Sequence, residues 1–367
     1  MARADLDGGA QITASHNPGH YNGIKMVGRG ALPLSGDAGI SDIRDMLLAD
    51  SVPAPAQEAG AVSADDVLGD YLEHILGFID VGAVRPYSLV LDAGSGIAGL
   101  VAPPLFDRLP CRTQRLCFEV DGSFPNHEAN PLMEENRRDL VAAVTASSAD
   151  AGIAWDGDAD RCFFVDGEGE FISGDFITAL LAEAFLLRDP GATVLYDVRA
   201  SHAVKDTVAA HGGRSLMNRV GHAFFKTRMR EENAVFGGEV TGHYYFRENF
   251  YADNGFIPAL LILELMSVRR KSLRELLAPL RERYFISGEI NTALDDQSLV
   301  AQRIEALAGK YADGHQYRMD GISVEYPTWH FNVRPSNTEP LLRLNLEGST
   351  PEEMAERRDE VLAVIRG

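Results

Sequence analysis

The sequence predicts a multi-domain α/β protein, and three observations lead to this prediction. With 367 residues, the chain exceeds what one hydrophobic core usually serves. Strand-like apolar runs alternate with amphipathic helical stretches across short Gly-rich joins, which is the pattern of βα units stacked into mostly parallel sheets. A stretch of Ser, Val, Pro and Ala at 51–56 looks like a linker after a small N-terminal region. We therefore expect several domains, each with its own core.

The individual elements follow from the same patterns, in chain order. Apolar residues at helical spacing predict an amphipathic helix over 65–81. A continuous apolar run at 88–92 predicts a buried strand, which the Gly-rich join 93–96 connects to another helix. The other predicted elements are a strand at 193–197 with a helix from about 201, strands at 321–326 and 329–333, and a closing helix at 352–365.

Composition and charge exclude several classes of protein. The formal net charge of -20 argues against nucleic-acid binding, because affinity for a phosphate backbone needs surplus Lys and Arg. Three cysteines without C-x-x-C spacing, Cys111, Cys117 and Cys162, favour reduced core thiols over a disulfide framework or a zinc site. The first seven residues carry no apolar leader, and the most apolar stretch, 257–266, is short. We expect a cytoplasmic protein without membrane contact.

A serine loop lies near the beginning of the chain. The segment Thr13-Ala14-Ser15-His16-Asn17-Pro18 is rich in small, polar and Pro residues, which predicts a fixed, exposed loop. The serine is not in a G-x-S-x-G elbow, so an α/β-hydrolase is disfavoured. Local composition alone leaves open whether Ser15 is a phosphoryl carrier or an unimportant residue of a polar turn.

An acidic loop follows the apolar run 151–155. In Asp156-Gly157-Asp158-Ala159-Asp160-Arg161, alternating carboxylates on a tight turn can converge on one hard divalent cation, and Mg²⁺ suits three carboxylates best. The segment does not match an EF-hand calcium loop, which needs Gly at its sixth position and Glu at its twelfth. Here those positions are Arg161 and Gly167. The alternative is a solvated acidic turn like 166–169, which we expect to be only a hairpin turn. Arg161 favours the first interpretation, since an anionic substrate needs a cation nearby.

Two further loops carry polar side chains in a dense pattern. In Gly237-Gly238-Glu239-Val240-Thr241-Gly242-His243, a carboxylate and a hydroxyl could grip adjacent sugar hydroxyls, although this loop alone is weak evidence. In Arg334-Pro335-Ser336-Asn337-Thr338-Glu339-Pro340, a guanidinium, two hydroxyls and an amide suit a dianionic phosphate. A structural turn between strands remains the alternative for the second loop.

In this order, the four loops resemble those of the α-D-phosphohexomutase superfamily, and most closely its phosphomannomutase/phosphoglucomutase branch. Asn22-Gly23-Ile24-Lys25, the stretch 121–127 and Gly221-His222 also match, so the resemblance runs from Gly8 to the end of the chain. It implies three related mixed α/β domains and a C-terminal α+β domain around a central cleft. The domains expected from it are 1–63, 64–171, 172–283 and 284–367, each with one of the four loops.

The resemblance also implies a role for each loop. The reaction is the reversible transfer of phosphate between the 1- and 6-positions of a mannose or glucose phosphate, through a phosphoserine and a hexose 1,6-bisphosphate that is also the activator. Ser15 would be the phosphoserine and, with Asp156, Asp158 and Asp160, would hold one Mg²⁺. The other catalytic residues implied are Lys25, Arg161 and His222. The substrate-binding residues implied are His16, Arg199, Glu239, Thr241, His243, Arg334, Ser336, Asn337 and Thr338.

The sequence departs from the family pattern at three places. Thr241 stands where serine is common and Ala159 where glycine is frequent, and both changes preserve the functional groups. Members of the family carry roughly a hundred residues before the serine loop. We therefore expect that the first domain is truncated and that the chain as given has weak or no mutase activity.

Three other functions and one structural question stay open at this point. A phosphoglucosamine mutase shares the mechanistic residues, a Mg²⁺-dependent phosphatase also uses clustered Asp residues, and a truncated chain could bind sugar phosphates without turnover. The expected partners are small-molecule hexose phosphates, with neither nucleic acid nor membrane. The expected oligomeric state is a monomer or a homodimer.

Overall fold

The computed structural model describes residues 6–336 and 340–367. Four β-sheets follow one another along the chain, and helices pack against them. This arrangement confirms the predicted multi-domain α/β architecture. Within these described residues, no helix combines the length and the apolar character that crossing a membrane requires.

The first sheet is small, antiparallel and poorly covered. Its strands are β1 (Gly8–Ile12), β2 (Ile24–Gly28) and β3 (Leu32–Pro33), and helix α1 (Ser41–Leu48) follows. The serine loop joins β1 to β2, and the Thr13 N–H donates to the Gly23 carbonyl at 3.0 Å across its base. Among the residues described between 6 and 71, no side chain is buried. This unit therefore has no hydrophobic core of its own.

The second sheet places the acidic loop at the carboxyl edge of its parallel strands. Helix α2 (Leu68–Leu76) leads into it. Its other elements are β4 (Ser88–Asp92), α3 (Ala98–Phe106), β5 (Arg112–Leu116), α4 (Arg138–Ser147), β6 (Ala151–Trp155), β7 (Cys162–Asp166) and β8 (Phe171–Ile172). The strand order is β5-β4-β6-β7-β8, in which the first three strands are parallel and the last two antiparallel.

The third sheet repeats this pattern of three parallel and two antiparallel strands. Its strands are β9 (Thr193–Asp197), β10 (Arg214–Asn218), β11 (Phe236–Gly238), β12 (Tyr244–Phe246) and β13 (Ala252–Asp253), in the order β10-β9-β11-β12-β13. Its helices are α5 (Gly174–Arg188), α6 (His202–Ala210), α7 (His222–Glu231), α8 (Phe256–Arg269) and α9 (Leu273–Arg281). The second and third sheets share one apolar core, in which the Trp155 indole donates to the Gly255 carbonyl at 2.8 Å.

The last sheet is wholly antiparallel and has a separate core. Its elements are β14 (Phe285–Ala293), α10 (Ser298–Lys310), β15 (His315–Tyr317), β16 (Ile322–Glu325), β17 (Trp329–Pro335), β18 (Leu341–Gly348) and α11 (Pro351–Arg366). The strand order is β14-β18-β17-β16-β15. Trp329 and Phe331 of β17 lie in the core of this unit. The expected α+β C-terminal domain is confirmed.

Two expectations about local structure need correction. The helix predicted over 65–81 is shorter, because it begins after Val67, whose side chain is 63% exposed, and ends before Gly77. The three cysteines are free, but only Cys162 is buried. Cys111 and Cys117 flank β5, an edge strand, and are therefore partly exposed. The hairpin turn expected at 166–169 is confirmed between β7 and β8.

Candidate active site

The serine loop and the acidic loop are in direct contact, although they lie far apart in the sequence. The Ser15 hydroxyl donates to Asp156 Oδ2 at 3.2 Å. The Thr13 hydroxyl donates to Asp158 Oδ2 at 3.0 Å and accepts the Ser15 backbone N–H at 2.8 Å. Ser15 has a φ of +56°, in the left-handed region, so the backbone is strained where its hydroxyl meets the carboxylates.

The close approach of these loops depends on a glycine. A Cβ atom on Gly157 would lie 2.3 Å from the Ser15 carbonyl oxygen, which is closer than two such atoms can approach. Ala159, the next small residue of the acidic loop, has a φ of +55° and donates its N–H to the Asp156 carbonyl at 3.0 Å. The tight turn therefore directs successive carboxylates toward the same point.

The three carboxylates of the acidic loop form a suitable site for a divalent cation. Asp156, Asp158 and Asp160 each offer one oxygen, and these oxygens lie within 4.8 Å of one another. Among the described residues, Asp158 Oδ1 and Asp160 Oδ1 are buried and find no hydrogen-bond partner. Since buried oxygens without partners are costly, and hard cations prefer carboxylate oxygens, these residues fit Mg²⁺.

Two basic side chains balance the charge of the acidic loop. Lys25 Nζ lies 2.7 Å from both Asp158 Oδ2 and Asp160 Oδ2. Burial lowers the pKa of Lys25, but the two carboxylates outweigh it and raise this pKa above its ordinary value. Arg161 donates its Nε–H to Asp156 Oδ2 at 2.8 Å and is itself buried. Burial raises the pKa of Asp156 to about 6 even though Arg161 opposes the shift.

The histidines of the site differ in charge. His16 Nδ1 lies 3.3 Å from the Ser15 hydroxyl, and burial, assisted by Arg161, lowers the pKa of His16 to about 4. At the beginning of α7, burial and then Lys226 lower the pKa of His222 to about 4 as well. Both rings are neutral near pH 7, so each can accept a proton.

His243 of the sugar loop behaves in the opposite way. Its Nδ1 lies 3.2 Å from Asp253 Oδ2 and 3.7 Å from Asp160 Oδ1. Burial lowers its pKa, but these carboxylates outweigh burial and raise the pKa above its usual value. A cavity of about 900 Å³ adjoins this group of side chains, and Lys25, Asp158, Asp160 and His222 line part of it.

The sugar loop contacts the acidic loop through an isolated β-bridge between Arg161 and His243. Glu239 on this loop is 1% exposed. It accepts a hydrogen bond from the Tyr245 hydroxyl on one oxygen, and the Gly221 N–H donates to the other at 3.2 Å. Thr241 is partly exposed. The structure therefore fixes Glu239 firmly, and its contact with sugar hydroxyls stays a prediction.

An arginine cluster surrounds one carboxylate between the third and fourth sheets. The Arg199 side chain is fully buried and donates from two of its nitrogens to the two carboxylate oxygens of Asp197. It also lies 3.2 Å from Glu289 Oε2. Arg334 Nη2 and Arg343 Nη1 each lie 3.4 Å from Glu289 oxygens. Within the described residues, the buried Nε atoms of Arg334 and Arg343 have no hydrogen-bond partner. The donors left over suit an anion.

The sequence reasoning missed two members of this cluster, Glu289 and Arg343. One signal could have found Arg343, because Arg334 and Arg343 face each other in the antiparallel pair β17 and β18. Ser336 is buried at the end of β17, whereas Asn337 and Thr338 lie outside the residues that the structure describes. Arg199 is enclosed by acidic partners, so its predicted contact with a ligand stays a prediction.

Comparison with known proteins assigns the family. Curated relatives include phosphohexose mutases of Xanthomonas campestris pv. campestris strain B100, 45% identical over 98% of this chain and 80% of the relative. This chain belongs to the phosphoglucomutase/phosphomannomutase family. It is therefore an isomerase of the phosphomutase type. A phosphomannomutase of Escherichia coli is 42% identical over 98% of this chain and 81% of its own length.

Domain and structure comparisons agree with this assignment. The family's alpha/beta/alpha domains I, II and III and its C-terminal domain match residues 1–51, 69–169, 173–284 and 289–364. A phosphoglucomutase/phosphomannomutase family protein from Burkholderia thailandensis superposes with a TM-score of 0.84, at 33% identity, over 98% of this chain and 76% of that chain. N-acetylphosphoglucosamine mutase of Aspergillus fumigatus, in complex with GlcNAc-6P and magnesium, shares the fold at 15% identity, with a TM-score of 0.67, over 100% of this chain and 90% of that chain.

Proposed function

We propose that this mutase moves phosphate between the 1- and 6-positions of mannose and glucose phosphates, with Ser15 as the phosphoryl carrier. The observation that carries this proposal is the contact of the Ser15 hydroxyl with Asp156, in a loop of three carboxylates of which Lys25 bridges the other two. The names of the relatives support the substrate class. Phosphate would leave Ser15, join the free hydroxyl of a hexose phosphate and form a 1,6-bisphosphate. The opposite phosphate would then return to Ser15.

The transfer needs neutralisation of the charge on the phosphoryl group. It also needs a group that takes a proton from the attacking oxygen and one that gives a proton to the leaving oxygen. In the forward step, the bond between phosphorus and Ser15 Oγ breaks while a bond from phosphorus to the sugar oxygen forms. His222 would accept the sugar hydroxyl proton and the Lys25 ammonium would protonate Ser15 Oγ, or the two side chains would closely support these transfers. Arg161, buried against Asp156, would stabilise the equatorial phosphoryl oxygens.

Asp156, Asp158 and Asp160, together with the phosphate on Ser15, would hold one Mg²⁺. When bound, the ion neutralises charge on the transferring phosphoryl group. The neutral His16 ring beside the hydroxyl would help to orient Ser15. The two buried carboxylate oxygens without partners are the observation that favours a cation here.

The remaining residues would bind the part of the substrate that does not react. Arg334, Ser336, Asn337 and Thr338 would hold the second phosphate, and Glu239, Thr241 and His243 the sugar hydroxyls. Arg199 would contribute to substrate binding together with Glu289, because the Glu289 carboxylate that pairs with Arg199 also pairs with Arg334 and restrains it. One phosphate-binding loop can serve both orientations of a 1,6-bisphosphate. Binding would therefore depend more strictly on the position of the substrate's phosphate than on which face of the sugar ring is presented.

A coupled assay tests this function. Glucose 6-phosphate formed from glucose 1-phosphate, with Mg²⁺ and glucose 1,6-bisphosphate, measures turnover, and mannose 1-phosphate serves as the second substrate. We expect at most weak turnover, with both hexose phosphates as substrates, and its loss in Ser15→Ala. The matched control is Ser123→Ala, since the Ser123 N–H and hydroxyl both donate to Asp121 Oδ1 at an exposed turn.

The same assay separates the alternatives. Preference for glucosamine 1-phosphate over both hexose phosphates would favour a phosphoglucosamine mutase. Release of inorganic phosphate that survives Ser15→Ala would favour a phosphatase. Binding of hexose phosphates in calorimetry without any transfer would favour a binding protein. Gel filtration distinguishes the monomer from the homodimer.

A further inference from the structure

A second group of metal-ligating side chains lies outside the proposed active site. Asp92, Cys117 and His127 each offer one ligand atom, and the carboxylate oxygen, sulfur and imidazole nitrogen lie within 4.8 Å of one another. Asp92 ends β4 and Cys117 follows β5, and these two strands are parallel neighbours. The topology therefore brings both residues to the same edge of the second sheet, where the loop 121–127 delivers the histidine.

The backbone orients the Asp92 and His127 side chains so that one ligand atom of each faces the cluster. Asp92 Oδ1 accepts the Gly94 N–H at 2.9 Å, which leaves Oδ2 directed at the cluster. His127 Nδ1 lies 2.9 Å from the Glu128 carbonyl, to which it donates, so Nε2 is the nitrogen that faces Asp92 Oδ2, at 3.1 Å. A carbonyl that fixes one ring nitrogen and leaves the other for a metal is the usual support of a histidine ligand.

The cysteine is held in place with equal firmness. Cys117 has a φ of +54°, a strained conformation for a residue with a side chain, and its carbonyl accepts the Ser95 N–H at 2.8 Å. Cys117 is partly exposed, whereas the side chains of Asp92 and His127 are 2% and 10% exposed. Two shielded ligands and one at the surface leave a path by which an ion can enter.

The spacing and the chemistry of this set suit zinc. Ligand atoms of a tetrahedral zinc ion lie about 3.5 Å apart. The oxygen and nitrogen, 3.1 Å apart, nearly satisfy this spacing, and the sulfur lies within 4.8 Å of both. Sulfur and nitrogen ligands disfavour Mg²⁺ and Ca²⁺. In the absence of a cation, His127 carries protons on both nitrogens, and the Asp92 carboxylate raises its pKa to about 9. A metal would take the place of the proton between Nε2 and Oδ2.

We propose that Asp92, Cys117 and His127 bind one Zn²⁺, with the fourth position open to water. The site lies directly behind the two loops of the proposed active site. The Ser95 hydroxyl accepts from Asn126 at 3.3 Å, and the Ile97 N–H donates to the Gly157 carbonyl at 3.0 Å. On its other side, a Cβ on Gly19 would lie 2.5 Å from the Gly122 carbonyl oxygen, so the serine loop packs on 121–127. Bound zinc would therefore stabilise the segments on which the serine loop and the acidic loop pack.

Cobalt titration tests the proposal without reference to catalysis. The full chain is freed of metal with a chelator, returned to buffer with excess Mg²⁺ to fill the acidic loop, and titrated with Co²⁺. We expect one equivalent to produce the near-ultraviolet charge-transfer absorption of a cobalt–thiolate bond, and one equivalent of Zn²⁺ to abolish it. Cys117→Ser should remove this absorption, and His127→Gln should weaken binding at least tenfold.

Two matched variants make the result specific. Cys111→Ser removes the other partly exposed thiol, whose sulfur lies 3.9 Å from the Arg85 carbonyl, and should leave the titration unchanged. Asp158→Asn alters the acidic loop and should also leave it unchanged. Circular dichroism establishes that each variant is folded. A wild-type chain without the absorption at saturating Co²⁺, or an absorption that follows Cys111 instead of Cys117, would overturn the proposal.

Thermal unfolding provides a second and independent measurement. One equivalent of Zn²⁺ in the presence of Mg²⁺ should raise the unfolding midpoint of the wild-type chain, because the ion binds only the folded arrangement of three separate segments. The midpoint of Cys117→Ser should not respond. Equal shifts in both proteins would mean that zinc binds elsewhere and would contradict the assignment.

Discussion

At the scale of single residues, the two oxygens of Asp158 show how the acidic loop is poised for a cation. Oδ2 accepts hydrogen bonds from Thr13 and Lys25. Oδ1 is buried and, among the described residues, has no partner. A buried oxygen without a hydrogen-bond partner lowers the stability of the folded chain unless a ligand binds to it.

This condition leads to a prediction about Mg²⁺. Asp158→Asn removes a negative charge and a ligand, so the affinity for Mg²⁺ should fall by about tenfold or more. Isothermal calorimetry of the chain with Mg²⁺ measures the change. Glu168→Gln, in the exposed turn 166–169, serves as the control and should bind Mg²⁺ like the wild type. Equal affinity in all three proteins would exclude Asp158 as a ligand.

Many of the site residues could be predicted from the sequence, because they lie in short segments of dense polar residues. The structure brings Ser15, Lys25, Asp156 and their neighbours together, as expected. Glu289 and Arg343 could not be found in this way, since they join the arginine cluster only through the register of β14, β17 and β18. The sequence pattern indicates only an ordinary thiol at Cys117, because its two neighbours in the cluster come from the end of another strand and from a distant loop.

At the scale of elements, the decisive contact is the one between the serine loop and the acidic loop. Gly157→Ala would place a Cβ 2.3 Å from the Ser15 carbonyl oxygen, so the loops must move apart. We expect the mutase activity to be lost and the free energy of unfolding to fall by about 1–3 kcal/mol. The coupled assay and urea unfolding measure the two effects.

The control for this prediction is another glycine of the same region. A Cβ on Gly122 meets nothing within 4 Å, so Gly122→Ala should keep both activity and stability. An active Gly157→Ala variant with unchanged stability would show that the two loops do not need this close approach.

The sequence predicted the existence of the main elements better than their limits or their pairing. The strands at 88–92 and 193–197 are confirmed, because continuous apolar runs bounded by Gly-rich joins leave few other structures. The helix over 65–81 is wrong at both ends, since Gly77 interrupts an apolar pattern that continues beyond the helix. The mixture of parallel and antiparallel neighbours in the second and third sheets follows from tertiary packing, for which local sequence patterns hold no signal.

At the scale of the whole molecule, a histidine pair connects the third and fourth sheets. His202 of α6 stacks on His330 of β17, with ring centroids 3.8 Å apart. His330 Nε2 lies 3.4 Å from Glu347 Oε1, and Glu325 approaches His202 Nε2 at 3.6 Å and Lys205 Nζ at 3.8 Å. Burial lowers the pKa of His330, and the nearby His202 ring is the main reason that the pKa of Glu325 falls to about 2.

These shifts predict that the molecule loses stability in acid. The unfolded chain, in which the pKa of His330 has its usual value of 6.5, binds a proton that the folded chain disfavours. Stability from His330 is therefore complete above pH 6.5 and falls below it. Glu325 adds a second loss as the pH drops from 4.5 toward 2. The midpoint of thermal unfolding, followed from about pH 8 to about pH 2, measures this dependence.

Two variants test whether His330 causes the loss of stability near pH 6. His330→Gln should flatten the curve near pH 6, whereas His20→Gln, which changes an exposed histidine, should not. A curve for His330→Gln that runs parallel to the wild type would mean that other groups cause the loss.

The first sheet has the least support in the molecule. No described side chain between 6 and 71 is buried, and large apolar side chains such as Ile12 and Leu48 are 71% and 80% exposed. The chain spans about 80% of the length of the curated relatives it matches. The weak or absent turnover expected from the resemblance stays a prediction, as do the domain boundaries near 63, 171 and 283.

Hydrogen exchange tests this difference in local stability. Amides of β1 and β2 should exchange much faster than those of β4 and β6, whose strands lie within the shared core. Glucose 1,6-bisphosphate with Mg²⁺ should slow exchange in the serine loop. Equally slow exchange in all four strands would contradict the view that the first sheet is marginal.

The role of Ser15 as phosphoryl carrier is the central claim, and one measurement tests it most directly. The chain is incubated with glucose 1,6-bisphosphate and Mg²⁺, and its intact mass and peptide fragments are determined. We expect one added phosphoryl group, located on Ser15, that glucose 1-phosphate removes and that Ser15→Ala never acquires. A chain that interconverts hexose phosphates while Ser15 stays unmodified, or that carries the phosphoryl group elsewhere, would contradict it.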